Sequence, residues 1–134
     1  SSSSTLVDIN KDSNYYKKKN KILNFLNLKK NEITKINVEM NCLSEFMKEH
    51  SINNVDILKI DTEGYELSVI KGANDKINNI NYIYFEHHFD DMLKKNYNFS
   101  DIHEYLTKNG FKKELKLKMY FRKTFEYIYK NSKI

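Results

Sequence analysis

Val55-Asp56-Ile57-Leu58-Lys59-Ile60-Asp61-Thr62-Glu63-Gly64-Tyr65-Glu66-Leu67 is the stretch on which the fold turns. Val55 to Asp61 is a short, mostly apolar, β-branched run, as a strand buried on both faces would be. Thr62-Glu63-Gly64 breaks the run, and Gly64 lets the chain turn tightly. Tyr65 to Lys71 then carries Leu67, Val69 and Ile70 at helical spacing and stops near Gly72. Ile80 to Phe85, rich in Ile and Tyr, predicts a second buried strand that ends in Glu86-His87-His88. The connection 62–79 is long enough for a helical crossover, so the two strands are expected to be parallel and adjacent.

Working outward, residues 13–28 predict an amphipathic helix with a solvated Lys face, and Asn31 to Met40 alternates like a strand. Asn41 is placed to cap a short helix, Cys42 to His50, whose apolar side is Leu43, Phe46 and Met47. Phe89 to Lys95 reads as a short helix. Phe99 to Asn109 reads as a longer one, with Asp101 and Glu104 at capping-box spacing and Gly110 as its stop. Residues 111–120 and 124–130 alternate apolar and polar, and predict an antiparallel pair joined around Arg122-Lys123. Strands that alternate with helices argue for an α/β sheet, its last strand antiparallel.

The chain of 134 residues suits one domain, and its 40% hydrophobic and 13% aromatic content is that of a globular protein. Three glycines and no proline exclude any Gly-rich phosphate cradle within the chain. Cys42 is the only cysteine, which excludes an internal disulfide and fits a reducing cytoplasm; a structural thiol is its default reading. The apolar runs are far shorter than the ~20 residues a membrane-spanning helix needs, and no membrane partner is expected. The formal charge is +5, yet all but one of the 23 cations are lysines. Base-edge and bidentate phosphate recognition favour Arg, and only Arg122 is present, so no nucleic-acid partner is expected. Lys, Asn, Ile, Tyr and Phe share A/T-rich codons, which accounts for the bias without a function.

If the two central strands are parallel, their carboxyl ends lie on one sheet edge, where open α/β folds bind ligands. Asp61 and Glu63 end the first, and in an extended backbone both would point the same way. Glu86, His87 and His88 end the second. Such a set can supply general bases, orient a substrate or hold a metal. The plainer alternatives are a helix N-terminus favoured by Asp61 and Glu63, and packing histidines at 87 and 88. No recognised zinc-ligand spacing is present, and no metal is assigned.

The segment 55–67, continued by Val69-Ile70-Lys71-Gly72-Ala73, closely resembles the hallmark of the FkbM family of S-adenosylmethionine-dependent methyltransferases, which act mostly on oxygen. Tyr82 to Asp90, Phe99 to His103 and Phe121 to Tyr129 are similar to the C-terminal part of one branch of that family. Ser2 to Leu6 resembles the segment leading into the hallmark. Cys42-Leu43-Ser44 stands where similar proteins often carry Thr-Leu-Asp.

The resemblance implies a Rossmann-like class I methyltransferase sheet that is incomplete, with residues 1–134 as a partial domain of later strands. The strands that carry the Gly-containing cofactor loop in the family find no counterpart here and are expected upstream; that the chain opens at Ser1 without an initiator Met means either a processed protein or part of a longer chain. It further implies S-adenosylmethionine as cofactor, with Asp61 near it, and a small-molecule or carbohydrate hydroxyl as acceptor. Asp61, Glu63 and His87 become candidate catalytic bases, and Glu86 and His88 candidate acceptor contacts. A non-catalytic α/β binding module, and a metal-dependent hydrolase built on Asp61, Glu63, His87 and His88, are the competing readings. A partial domain is also expected to expose sheet edge and apolar surface.

Overall fold

The protein is described from a computed structural model that covers residues 4–27, 34–120 and 123–133. Strand β1 (Val55–Ile60) runs parallel to β2 (Ile80–His88), with Ile57 opposite Tyr82 and Ile60 opposite Phe85. Helix α3 (Glu66–Lys71) and a 3-10 helix (Asn74–Asn79) form the crossover between them. The expected parallel, adjacent pair joined by a helical crossover therefore forms, and both strand ends reach one sheet edge.

Helix α4 (Phe99–Lys108) leads to β3 (Phe111–Lys118), and β4 (Thr124–Asn131) returns antiparallel to β3. β4 also pairs antiparallel with β2, so the described sheet is open and mixed, in the order β1-β2-β4-β3. The α/β class and the closing antiparallel pair stand. The connection near Arg122 lies outside the described residues.

Among the described residues, the apolar core lies on one face of the sheet. Ile60, Ile83, Phe85, Tyr127 and Tyr129 are buried against Leu67 and Ile70 of α3 and Ile102 and Leu106 of α4. Burying each such side chain contributes roughly 1.5–3 kcal/mol. Phe99 stacks on Tyr127 at 4.3 Å between ring centres, which locks α4 over β4.

Several local expectations are corrected. β1 is not buried on both faces: it is the end strand among the described residues, Ile57 is 64% exposed and only Ile60 of the strand is buried. Residues 34–40 form no strand, and Ile36 and Val38 are exposed; 31–33 lie outside the described residues. Helix α2 (Leu43–Glu49) starts at Cys42 with no side-chain cap, and the Asn41 side chain reaches Glu49 instead. Residues 89–95 are not helical. Ile9 bridges Leu93, the Asn10 N–H donates to the Met92 carbonyl at 2.7 Å, and the Lys94 N–H donates to the Asp8 carbonyl at 2.9 Å.

Helix α1 (Asn14–Phe25) forms within the expected 13–28, its N-terminus capped by Ser13, but its apolar side is not covered: it buries none of its residues, and Ile22 and Phe25 are exposed; residue 28 lies outside the described residues. The capping box of α4 lies one turn earlier than its spacing suggested. Asn98 is the cap, and the Asp101 carboxylate accepts from the Asn98 N–H at 2.7 Å.

Candidate functional site

After Ile60 the chain leaves the sheet through two consecutive left-handed residues, Glu63 at φ 49° and Gly64 at φ 104°. A non-glycine residue there is uncommon and is held by its surroundings. The holders are visible. Thr5 Oγ1 donates to the Glu63 carbonyl at 2.6 Å, and the Gly64 N–H donates to the Glu66 carboxylate at 2.8 Å. Because Glu63 is not extended, Asp61 and Glu63 do not share a direction as an extended chain would give.

The turn delivers the Glu63 carboxylate to the imidazole of His88, 3.0 Å from Nε2. Glu86 Oε1 stands 3.4 Å from the same nitrogen. On the other side, His88 Nδ1 lies 3.3 Å from Thr124 Oγ1 and 3.7 Å from the Asp90 carboxylate. The His88 side chain is only 8% exposed, whereas those of Glu63 and Glu86 keep 22% and 17%. Burial opposes a charge on His88, but contacts with Asp90 and Glu63, and the charges of Glu63 and Glu86, outweigh it and raise the imidazole to about 9. His88 is therefore an imidazolium at neutral pH, a donor held among carboxylates. Burial likewise opposes the Asp90 charge; His88, the Met92 N–H and Lys95 outweigh it and hold its carboxyl low.

Strand alternation sends His87 to the opposite face. Its ring packs against Phe89 at 4.8 Å and against Tyr97 and Phe99 at 6.0 Å, and its Nδ1 is buried without a hydrogen-bond partner. Burial, with the positive charges of Lys95 and His88, lowers it to about 3, so it is neutral. Asp61 ends β1 with its side chain about half exposed, 3.9 Å from Lys59, and stays outside the cluster. The fold thus joins Glu63, Glu86 and His88, and sets His87 and Asp61 apart.

Several members of the site carried no usable sequence signal. Asp90 follows His88 by two residues, a spacing that suggests a shared side only once the strand is known to continue. Thr124 and Glu126 face His88 and Glu86 through the β2–β4 register, which pairs positions far apart in sequence. Glu126 accepts from the Tyr84 hydroxyl at 2.6 Å, and that hydrogen bond, with burial, pushes the phenol up to about 12. Glu66, 1% exposed, accepts from Gly64, from Thr62 at 3.3 Å and from the Tyr97 hydroxyl. Ser44 is buried and accepts from the Asn74 side chain at 3.1 Å. Among the described residues, no group of three or more His, Cys, Asp or Glu is arranged to hold a metal ion.

The sequence model of the Methyltransferase FkbM domain matches residues 2–113. The chain belongs to the FkbM methyltransferase family. No curated protein and no solved structure gives a match. In this FkbM chain the matched region takes in β1, its turn, β2 and α4, and so contains Glu63, Glu86, His88 and Asp90. Thr124 and Glu126 lie beyond it.

Proposed function

We propose that this chain forms the acceptor side of a Rossmann-like class I methyltransferase domain that transfers a methyl group from S-adenosylmethionine to a hydroxyl of a sugar or small metabolite. The observation that carries the reading is the Glu63–His88–Glu86 cluster at the carboxyl ends of adjacent parallel strands, inside an FkbM domain. The later part of a methyltransferase sheet, residues 1–134, is also the reading favoured by two parallel strands followed by a closing antiparallel pair.

The chain's three glycines, Gly64, Gly72 and Gly110, supply no Gly-rich loop for a nucleoside such as S-adenosylmethionine. At Gly64 the chain packs closely on itself on one side, since a Cβ there would stand 2.8 Å from Val7 Cγ2 and 3.3 Å from Leu93 Cδ1, while a cavity of about 340 Å³ opens between Gly64, Tyr65, Val7 and Tyr97. When bound, S-adenosylmethionine supplies an electrophilic sulfonium methyl, and the described residues offer it no Gly-rich cradle.

For the acceptor, the residues are better suited. A cleft of about 580 Å³ meets the cluster only at Asp90, on the Nδ1 side of His88; Glu63, Glu86 and His88 do not line it. Tyr15 and Phe89 give it aromatic surface, and Lys18, Lys118 and Lys123 give it donors, a mixture that suits a polyhydroxylated ligand. With His88 protonated, the proton of an acceptor hydroxyl goes to a carboxylate, Glu63 or Glu86, rather than to an imidazole. His88 then keeps that carboxylate oriented and its charge offset.

A second reading, a non-catalytic binding module, is favoured by one observation: the cluster is largely filled by its own side chains, with Asp90 3% and His88 8% exposed. One assay separates the two. The polypeptide in its full encoded length is incubated with S-adenosylmethionine and a panel of hydroxyl acceptors, and release of S-adenosylhomocysteine is followed. The expected result is turnover that falls about 10²-fold or more in Glu63→Gln or Glu86→Gln. No turnover with any acceptor, or turnover unchanged in both variants, would overturn the catalytic reading. Calorimetry on residues 1–134 should show no tight S-adenosylmethionine binding; nanomolar binding would sink the acceptor-side assignment.

A further inference from the structure

We propose that Glu66 is a positioning residue for this site: its buried carboxylate holds the Thr62–Gly64 turn in the left-handed shape that sets Glu63 against His88. The proposal rests on the reading of the Glu63–His88–Glu86 cluster as the acceptor site.

A carboxylate that is 1% exposed is strongly disfavoured unless its oxygens are satisfied. The two oxygens of Glu66 divide the work. Oε1 takes the Gly64 N–H at 2.8 Å and the Thr62 hydroxyl at 3.3 Å, both from the β1 turn. Oε2 takes the Tyr97 hydroxyl, from the segment that follows β2. Burial and Glu66 push the Tyr97 phenol well above its usual range, so it remains a donor. One side chain thereby ties together the two segments that leave the functional edge of the sheet.

The bond to Gly64 matters most. It fixes the amide that immediately follows Glu63, whose own carbonyl is held by Thr5. The peptide on the C-terminal side of Glu63 is thus gripped through its oxygen and its N–H, which sets the backbone that aims the Glu63 side chain. Gly64 precedes Tyr65, the N-cap of α3, so the bond to its N–H holds the turn and does not cap the helix. Glu66 reaches in addition to Thr62 and across to Tyr97.

The test reads the Glu63–His88 contact directly. His88 is titrated by NMR in the 134-residue chain, with its signal assigned from His88→Asn. It faces Glu63, Glu86, Asp90 and Thr124; Lys95 donates to its carbonyl, and neutral His87 adjoins it. The wild-type midpoint is expected near 9. Glu66→Gln, whose amide oxygen can take Gly64 and whose NH2 can donate to Tyr97, should keep it there. Glu66→Met fills the volume without an acceptor, and the midpoint should fall by about one unit or more. A folded Glu66→Met chain with the wild-type midpoint would overturn the proposal. Should that variant fail to fold, the double change Thr62→Val with Tyr97→Phe removes two donors and leaves the carboxylate. It should lower the midpoint in the same direction, and an unchanged value overturns the proposal equally. The titration uses neither cofactor nor acceptor, so its failure leaves the methyl-transfer reading to the activity assay.

Discussion

His87 and His88 occupy opposite faces of one strand, and their chemistry follows from that. His88 is raised from 6.5 to about 9, so the stability it contributes is full below pH 6.5 and is lost as the pH climbs towards 9. His87 is lowered from 6.5 to about 3, so the unfolded chain takes up a proton that the folded chain refuses. Stability from that source is present above pH 6.5 and is lost as the pH falls towards 3. Urea unfolding across pH 5 to 9.5 should therefore show its highest midpoint near neutrality, with an alkaline limb of roughly 3 kcal/mol at most. In His88→Asn that limb should flatten; an unchanged slope would show that His88 is not the group responsible. The sequence revealed that Glu63, Glu86 and both histidines end adjacent strands. It did not reveal which histidine meets the carboxylates, because that depends on which face the helices cover.

At the scale of elements, the turn after β1 is the part most exposed to substitution. Gly64→Ala would place a Cβ 2.8 Å from Val7 Cγ2 on a backbone with φ 104°, where L residues are strained. We expect a loss of about 1 kcal/mol or more by thermal unfolding, together with a lowered His88 midpoint as the turn shifts. Gly72→Ala is the comparison: its φ is −64°, so it adds no left-handed strain, and although a Cβ would press at 3.3 Å on the Ser68 and Val69 carbonyl oxygens, the His88 midpoint should not move. The hallmark elements were legible because their cues are local: β-branched runs, a glycine break and a helical period. Residues 89–95 misled because Ile9 and Asp8, some eighty positions away, offer their backbone an extended partner. Residues 34–40 misled in the opposite way, since an alternating pattern forms no strand where no neighbour pairs with it.

Across the whole molecule, order should follow burial. β2 and β4 are central in the sheet, and their side chains form the core with α3 and α4, whereas α1 buries nothing. Hydrogen exchange followed by mass spectrometry should show residues 14–25 exchanging first and β2 and β4 last. Protection of α1 equal to that of β2 would refute this layering. The uncovered face carries Ile57, Leu115 and Leu117 exposed, while Lys59 and Lys130 lie over the rings of Tyr84 and Tyr82. By itself the sequence determined the α/β alternation, the parallel pair and the strand end at which polar groups collect, because these follow from short-range periodicity and from the length of a crossover. The tertiary structure alone decided that β4 lies between β2 and β3, that Thr124 and Asp90 close around His88, that His87 turns into the aromatic wall, and that Glu66 is buried under the turn. Each of these depends on register or on the choice of covered face, and both are set by packing among residues distant in the chain.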